Sequence, residues 1–142
     1  MKVLIDTNIA LDILLHRLDY TNAALIFSFT QHNVIESYIS ASAITDIFYI
    51  SGKDLGKKTA KEALKNLLQV FKPATVTDNH IYRALNLDWN DFEDSVQYVV
   101  GESFSADFII TGNIDDYALG SIPVITPEQF IKIIAKDEVE SE

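Results

Sequence analysis

Short apolar runs alternate along this chain with longer stretches in which apolar positions recur every three or four residues. KVLI (2–5) carries consecutive apolar side chains, as in a strand covered on both faces. SYIS (37–40), ATVTD (74–78), DFIITGN (107–113) and IPVIT (122–126) are further strand segments. Helical spacing is read over 8–15, 20–31, 40–50, 57–71, 79–87, 89–103 and 127–135. SASAITDIFYI opens on capping residues, and Gly52 and Gly56 bracket a break after it. KKTAKEALKNLLQVF is the clearest amphipathic stretch, and Pro127 suits a first helical turn. Strands alternating with helices predict an α/β fold with a mostly parallel sheet.

The chain has 142 residues, enough for one domain, placed at 1–135 with an acidic, solvated tail at 136–142. Hydrophobic residues make up 48%, which supports a core and argues against disorder. There is no cysteine, so disulfides and thiolate metal sites are excluded. No charged start leads into a long apolar run, and no stretch approaches the roughly 18 apolar residues of a membrane span. A soluble, cytoplasmic protein without a membrane partner is expected.

The net charge of −10 argues against holding nucleic acid by bulk electrostatics. Residues 53–72 are an exception, with six of the eleven Lys and Arg residues against only Asp54 and Glu62. Within them Lys57, Lys61 and Lys65 are spaced by four and form one stripe on a helix. The stripe reads either as a solvated face or as a phosphate track or docking face.

In open parallel sheets, ligands bind beyond the carboxyl ends of the strands. Asp6 follows the first strand, and Thr111, Gly112 and Asn113 follow the fourth, with Asp115 and Asp116 just beyond. Asp46 and Asp94 fall in the first turns expected for helices starting on the same edge. Taken singly, each acid also fits a turn, a cap or a helix dipole. Together, Asp6, Asp46, Asp94 and Asp116 can converge, and clustered carboxylates call for protonation or a cation. Oxygen ligands without Cys or clustered His select Mg²⁺ or Mn²⁺, ions that activate water and offset charge on a phosphate.

Four segments, in order, resemble the PIN domain family, which includes metal-dependent ribonucleases and VapC-type toxins. LIDTN resembles its opening motif, SASAITDIFYI the segment of its second acid, and DFEDSVQYV the segment of its third. IITGNIDDY resembles its closing motif, with Thr111, Asn113 and Asp116 in the matching places. The resemblance spans about residues 2 to 135. It implies a central sheet of five strands flanked by helices. It also implies an endoribonuclease with Mg²⁺ or Mn²⁺ held by Asp6, Asp94 and Asp116, and Asp46 assisting directly or through water. RNA is then the substrate, and Asn8, Thr111, Asn113, Lys57 and Lys61 are candidate substrate-binding residues. An antitoxin protein and a second copy of the chain are candidate partners.

Two positions depart from the family pattern. The second acid is commonly Glu, one methylene longer than Asp46, and Gly112 stands where many relatives carry Arg. They motivate an alternative, a catalytically degenerate domain that binds RNA or protein. A haloacid-dehalogenase-like phosphatase would need an acid at position 8, where Asn8 stands. A receiver domain would need an acid ending the third strand and a Lys near the fifth, and neither is evident. Asn8 also suits a cap of the first helix, and Asp91 an N-cap. Glu93 and Asp115 read as solvated neighbours. Trp89, Phe92 and Tyr117 read first as core packing, with base stacking as the lesser option.

Overall fold

Consecutive apolar residues in KVLI make sense once both faces of the strand are seen to be covered. The computed structural model describes residues 1–117 and 120–141. In chain order it builds β1 (Lys2–Ile5), α1 (Thr7–Leu15), α2 (Tyr20–Gln31), β2 (Glu36–Ser40), α3 (Ala41–Leu55) and α4 (Lys57–Leu67). There follow β3 (Lys72–Ala74), α5 (Asp78–Asn86), α6 (Phe92–Ser103), β4 (Phe108–Ile110), a 3₁₀ turn (Ile114–Asp116), β5 (Val124–Ile125) and α7 (Pro127–Ser141). The strands form one sheet in the order β3-β2-β1-β4-β5, every pair parallel. Val3 and Ile5 join Ile39 and Ile110 in the core on one side, under α1, α2, α3 and α7. Leu4 and Ile109 point the other way, into a cluster with Tyr98 of α6. Side chains alternate across a strand, so one apolar run feeds two cores. Each fully buried Leu or Ile contributes about 1.5–3 kcal/mol.

The expected α/β sheet with five strands is observed, and several boundaries move for physical reasons. The third strand is Lys72–Ala74, not 74–78. It includes Pro73 because β3 is an edge strand, where a missing N–H need not break a ladder. Gly52 does not interrupt α3, which runs on to Leu55 and ends at Gly56, whose φ is 82°. Glycine takes that conformation without steric penalty, so the chain turns directly into α4. The stretch expected as a tail continues α7 to Ser141, with residues 136–140 exposed; Glu142 lies outside the described residues. Exposed pairs at Glu128–Lys132 (3.5 Å) and Lys136–Glu140 (3.9 Å) support this helix weakly. Among the described residues no helix is long and apolar enough to cross a membrane.

Candidate active site

Strand order reverses at β1, which pairs with β2 on one side and β4 on the other. The crevice beyond such a switch point is where ligands bind in open α/β sheets. Asp6 leaves β1 there, and its N–H donates to the Ile110 carbonyl at 3.0 Å, fixing it beside the end of β4. Asp6 occupies the N-cap of α1, and its backbone carbonyl accepts from the Ile9 N–H at 3.0 Å. Its carboxylate caps nothing, although Asp is among the best capping residues. Instead Thr111 Oγ1 donates to Asp6 Oδ2 at 2.6 Å, and Gln97 Nε2 donates to Oδ1 at 3.0 Å. The acid that ends this buried strand is thus held by two side chains from other elements and does not cap its own helix.

A cleft of about 380 Å³ opens at this point. Asp6, Asp46, Asp94 and Asp116 all line it, and so do Asp91 and Glu93. Thr7, Asn8, Leu11, Tyr49 and Ile50 also line it, and among the described residues no Lys or Arg does. Asp91 caps α6 by accepting from the Asp94 N–H at 3.0 Å, as expected. Asp94 itself is buried in the first turn of α6. Burial, and then the charges of Asp6, Asp91, Asp116 and Glu93, raise its pKa from 3.8 to about 7. Glu93 is also pushed upward, by burial first and then by Asp46, Asp6 and Asp91, against a bond of 3.1 Å donated by Thr7 Oγ1. Tyr117 is buried nearby, and burial together with the Asp6 and Asp94 charges keeps its phenol protonated.

The cleft thus concentrates carboxylates with no cationic side chain to offset them, and a hard divalent cation fits that donor set. Asp6, Asp94 and Asp116 could supply ligand oxygens, with Asp46 and Glu93 at the margin. Among the described residues, no group of three His, Asp or Glu side chains is already disposed around a single point as a ligand set.

The structure sorts the residues singled out in the sequence. Asp46 lies in the second turn of α3, not the first, because the helix starts at Ala41; it is exposed on the cleft wall. Asn8 does not cap α1 but lies inside it, exposed along the cleft. Thr111 is buried behind Asp6, and its Oγ1 accepts from the Asn113 N–H at 3.1 Å. Asn113 itself lines a different depression, with Gly112 and Arg17. Lys57 lines a groove adjoining the cleft, and Lys61 is exposed further along α4. Trp89 and Tyr117 pack together, with rings 6.0 Å apart, whereas Phe92 is exposed. Asp91 and Glu93 belong to the cleft, which the sequence reading did not assign to them.

Gln97 went unnoticed in the sequence reading. It is fully buried, and its Nε2 also reaches Asp94 Oδ1 at 3.5 Å, so one amide joins two acids that would otherwise repel. The signal was a lone amide inside the apolar run SVQYVV, three residues and one helical turn after Asp94. Gln97→Leu is expected to lower the stability of the metal-free protein by about 1–3 kcal/mol, because buried acceptors lose their donor. Chemical denaturation measures this, and an unchanged midpoint would show that the amide does not join the acids.

Residues 2–115 match the family described as PIN domain, and the chain belongs to that family. Three solved structures share its fold. A toxin–antitoxin complex from Klebsiella pneumoniae is 20% identical, with a TM-score of 0.67 over 88% of this chain and 97% of that one. VapBC2 from Rickettsia felis, bound to a promoter DNA fragment, is 14% identical, with a TM-score of 0.66 over 89% and 98%. VapC20 from Mycobacterium tuberculosis, a sarcin–ricin loop cleaving toxin, is 13% identical, with a TM-score of 0.61 over 75% and 86%. No curated protein sequence matches the chain significantly.

Proposed function

We propose that this protein is a Mg²⁺- or Mn²⁺-dependent endoribonuclease and the toxin of a toxin–antitoxin pair. One observation carries the reading: the acids at the sheet's switch point line a single cleft to which, among the described residues, no cationic side chain contributes. When bound, a divalent ion there would polarise a phosphoryl oxygen and offset the charge that builds during displacement at phosphorus. Asp6, Asp94 and Asp116 would hold the ion, with Asp46 assisting directly or through water. Thr111 and Gln97 orient Asp6, so that its remaining lone pairs are available on the cleft side. The fold shared with VapC20, a sarcin–ricin loop cleaving toxin, supports RNA as substrate. The likeness to two toxin–antitoxin assemblies supports an antitoxin as partner.

The exposed position of the short Asp46 favours a second reading, a domain that binds RNA or protein without cleaving it. Titration of Mn²⁺ into the wild type and Asp6→Asn by calorimetry separates the two. Binding that is lost in the variant supports the nuclease, and absence of binding in the wild type contradicts it.

Substitution of Asp46 gives a graded test. Asp46→Glu is expected to match or raise cleavage, because the longer side chain reaches further into the cleft. Asp46→Ala should reduce cleavage less than Asp94→Ala does, in the same gel-based assay. Complete loss in both Asp46 variants would mean that the aspartate is a closely fitted ligand.

A further inference from the structure

The acidic cleft has a neighbour of opposite character. Tyr49 lines the cleft and also a second groove, of about 240 Å³, formed with Phe48, Gly52, Lys53 and Lys57. We propose that this groove is a nucleotide subsite for single-stranded RNA, taking a base against Tyr49 and adjoining phosphates on Lys53 and Lys57. The inference rests on the nuclease reading, whose reacting phosphate would lie next door.

Helix geometry makes the two sites continuous. Asp46, Tyr49 and Lys53 stand at i, i+3 and i+7 of α3, which is one face of a helix. Seven residues rise about 10 Å, so acid, aromatic ring and ammonium follow one another along a short track. Gly56, with its φ of 82°, then turns the chain so that Lys57, the first residue of α4, completes the groove beside Lys53. A side chain other than glycine would strain that turn.

The chemistry of the groove selects its occupant. Tyr49 is 63% exposed, although a large aromatic side chain on a packed helix would ordinarily be covered. Lys53 Nζ stands 4.4 Å from the ring centroid, a cation–π contact that an arriving phosphate can replace. Among the described residues, Lys53 and Lys57 form no ion pair with a carboxylate. The volume is below the roughly 300–1,000 Å³ of drug-sized sites, and suits one flat base. An acidic protein segment would need the lysines but not the open ring. Stacking on an exposed ring with flanking cations is how single strands are held without regard to sequence. The groove also supplies the positive charge that the acidic cleft lacks.

Fluorescence anisotropy with a labelled single-stranded oligoribonucleotide tests this, with Ca²⁺ in place of Mg²⁺ and strand integrity checked on gels. Tyr49→Ala is expected to weaken binding about tenfold, in the range of one lost base stack, while Tyr49→Phe keeps the affinity. Lys53→Ala with Lys57→Ala should flatten the log–log salt dependence by about 1.4, at 0.7 per phosphate contact. Lys58→Ala, off the groove and equal in charge to either single change, should leave the slope in place. Unmoved affinity and slope overturn the proposal, as does a wild type that binds no RNA. If the lysine changes weaken binding and Tyr49→Ala does not, the groove is a general anion-docking face, as an acidic protein would use, and the nucleotide assignment fails. Binding through these residues by a protein that cleaves nothing would overturn the nuclease and leave the subsite standing. Cleavage by a protein whose RNA affinity ignores them would do the reverse.

Discussion

Asp6→Asn is expected to reduce metal-dependent RNA cleavage by about 10²–10³-fold, since a cation's stabilisation of developing charge is worth several kcal/mol and each 1.36 is tenfold. The fold should survive. Asp6 is buried and accepts from Thr111 and Gln97, so the change swaps one acceptor oxygen for an amide donor. Gln97 can absorb the swap. Its Oε1 is buried and has no hydrogen-bond partner among the described residues, and turning the amide over presents that oxygen to the new donor. A thermal melt close to wild type, together with lost cleavage, separates a role in chemistry from a role in folding. A melt far below wild type would show that the carboxylate acts mainly as a structural acceptor. Acid crowding considered alone suggests that Asp6→Asn would stabilise the metal-free protein. The hydrogen bonds move that expectation to Asp94.

The second large effect concerns pH and metal together. In the folded protein the Asp94 carboxyl titrates near 7, against an ordinary value of 3.8. At low pH it is protonated in both folded and unfolded states and leaves stability unchanged. Between about pH 4 and 7 the folded protein keeps a proton that the unfolded chain has lost, so stability of the metal-free protein falls as pH rises. Above pH 7 the penalty is complete, because a charge must then be carried among Asp6, Asp91, Asp116 and Glu93. The melting temperature in a chelator should therefore drop from pH 5 to pH 7.5, and Asp94→Asn should flatten that drop. Mn²⁺ should raise the wild-type melting temperature more at pH 7.5 than at pH 5, since the ion and the proton compete for the same oxygens. A metal-free stability that is level across this range, or falls equally in Asp94→Asn, would contradict the assignment.

Much of this site was legible before any coordinates. The runs KVLI and DFII mark strands because both faces of a parallel sheet are buried, and the acids after them fall at strand ends by position alone. The cap at Asp91 followed from residue type and spacing. What remained hidden depends on distance between segments. Nothing local says that Gln97 lies between Asp6, 91 residues earlier, and Asp94. Glu93 looked like a solvated neighbour because exposure to water and exposure to a cleft give the same sequence pattern. Helix boundaries slipped for similar reasons. Gly52 suggested a break, yet a glycine inside a helix is tolerated when its neighbours pack, as Ile47 and Ser51 do here. Pro73 suggested that its strand began afterwards, because an edge position cannot be read from the strand itself.

Cleavage of a labelled single-stranded RNA by the purified protein, in Mn²⁺ and in excess chelator, tests the central claim most directly. Wild type should cut the strand in Mn²⁺ and leave it intact in chelator, and Asp94→Ala should leave it intact in both. Cutting that persists in chelator, or that Asp94→Ala performs as well as wild type, would contradict a metal-dependent nuclease built on this cleft.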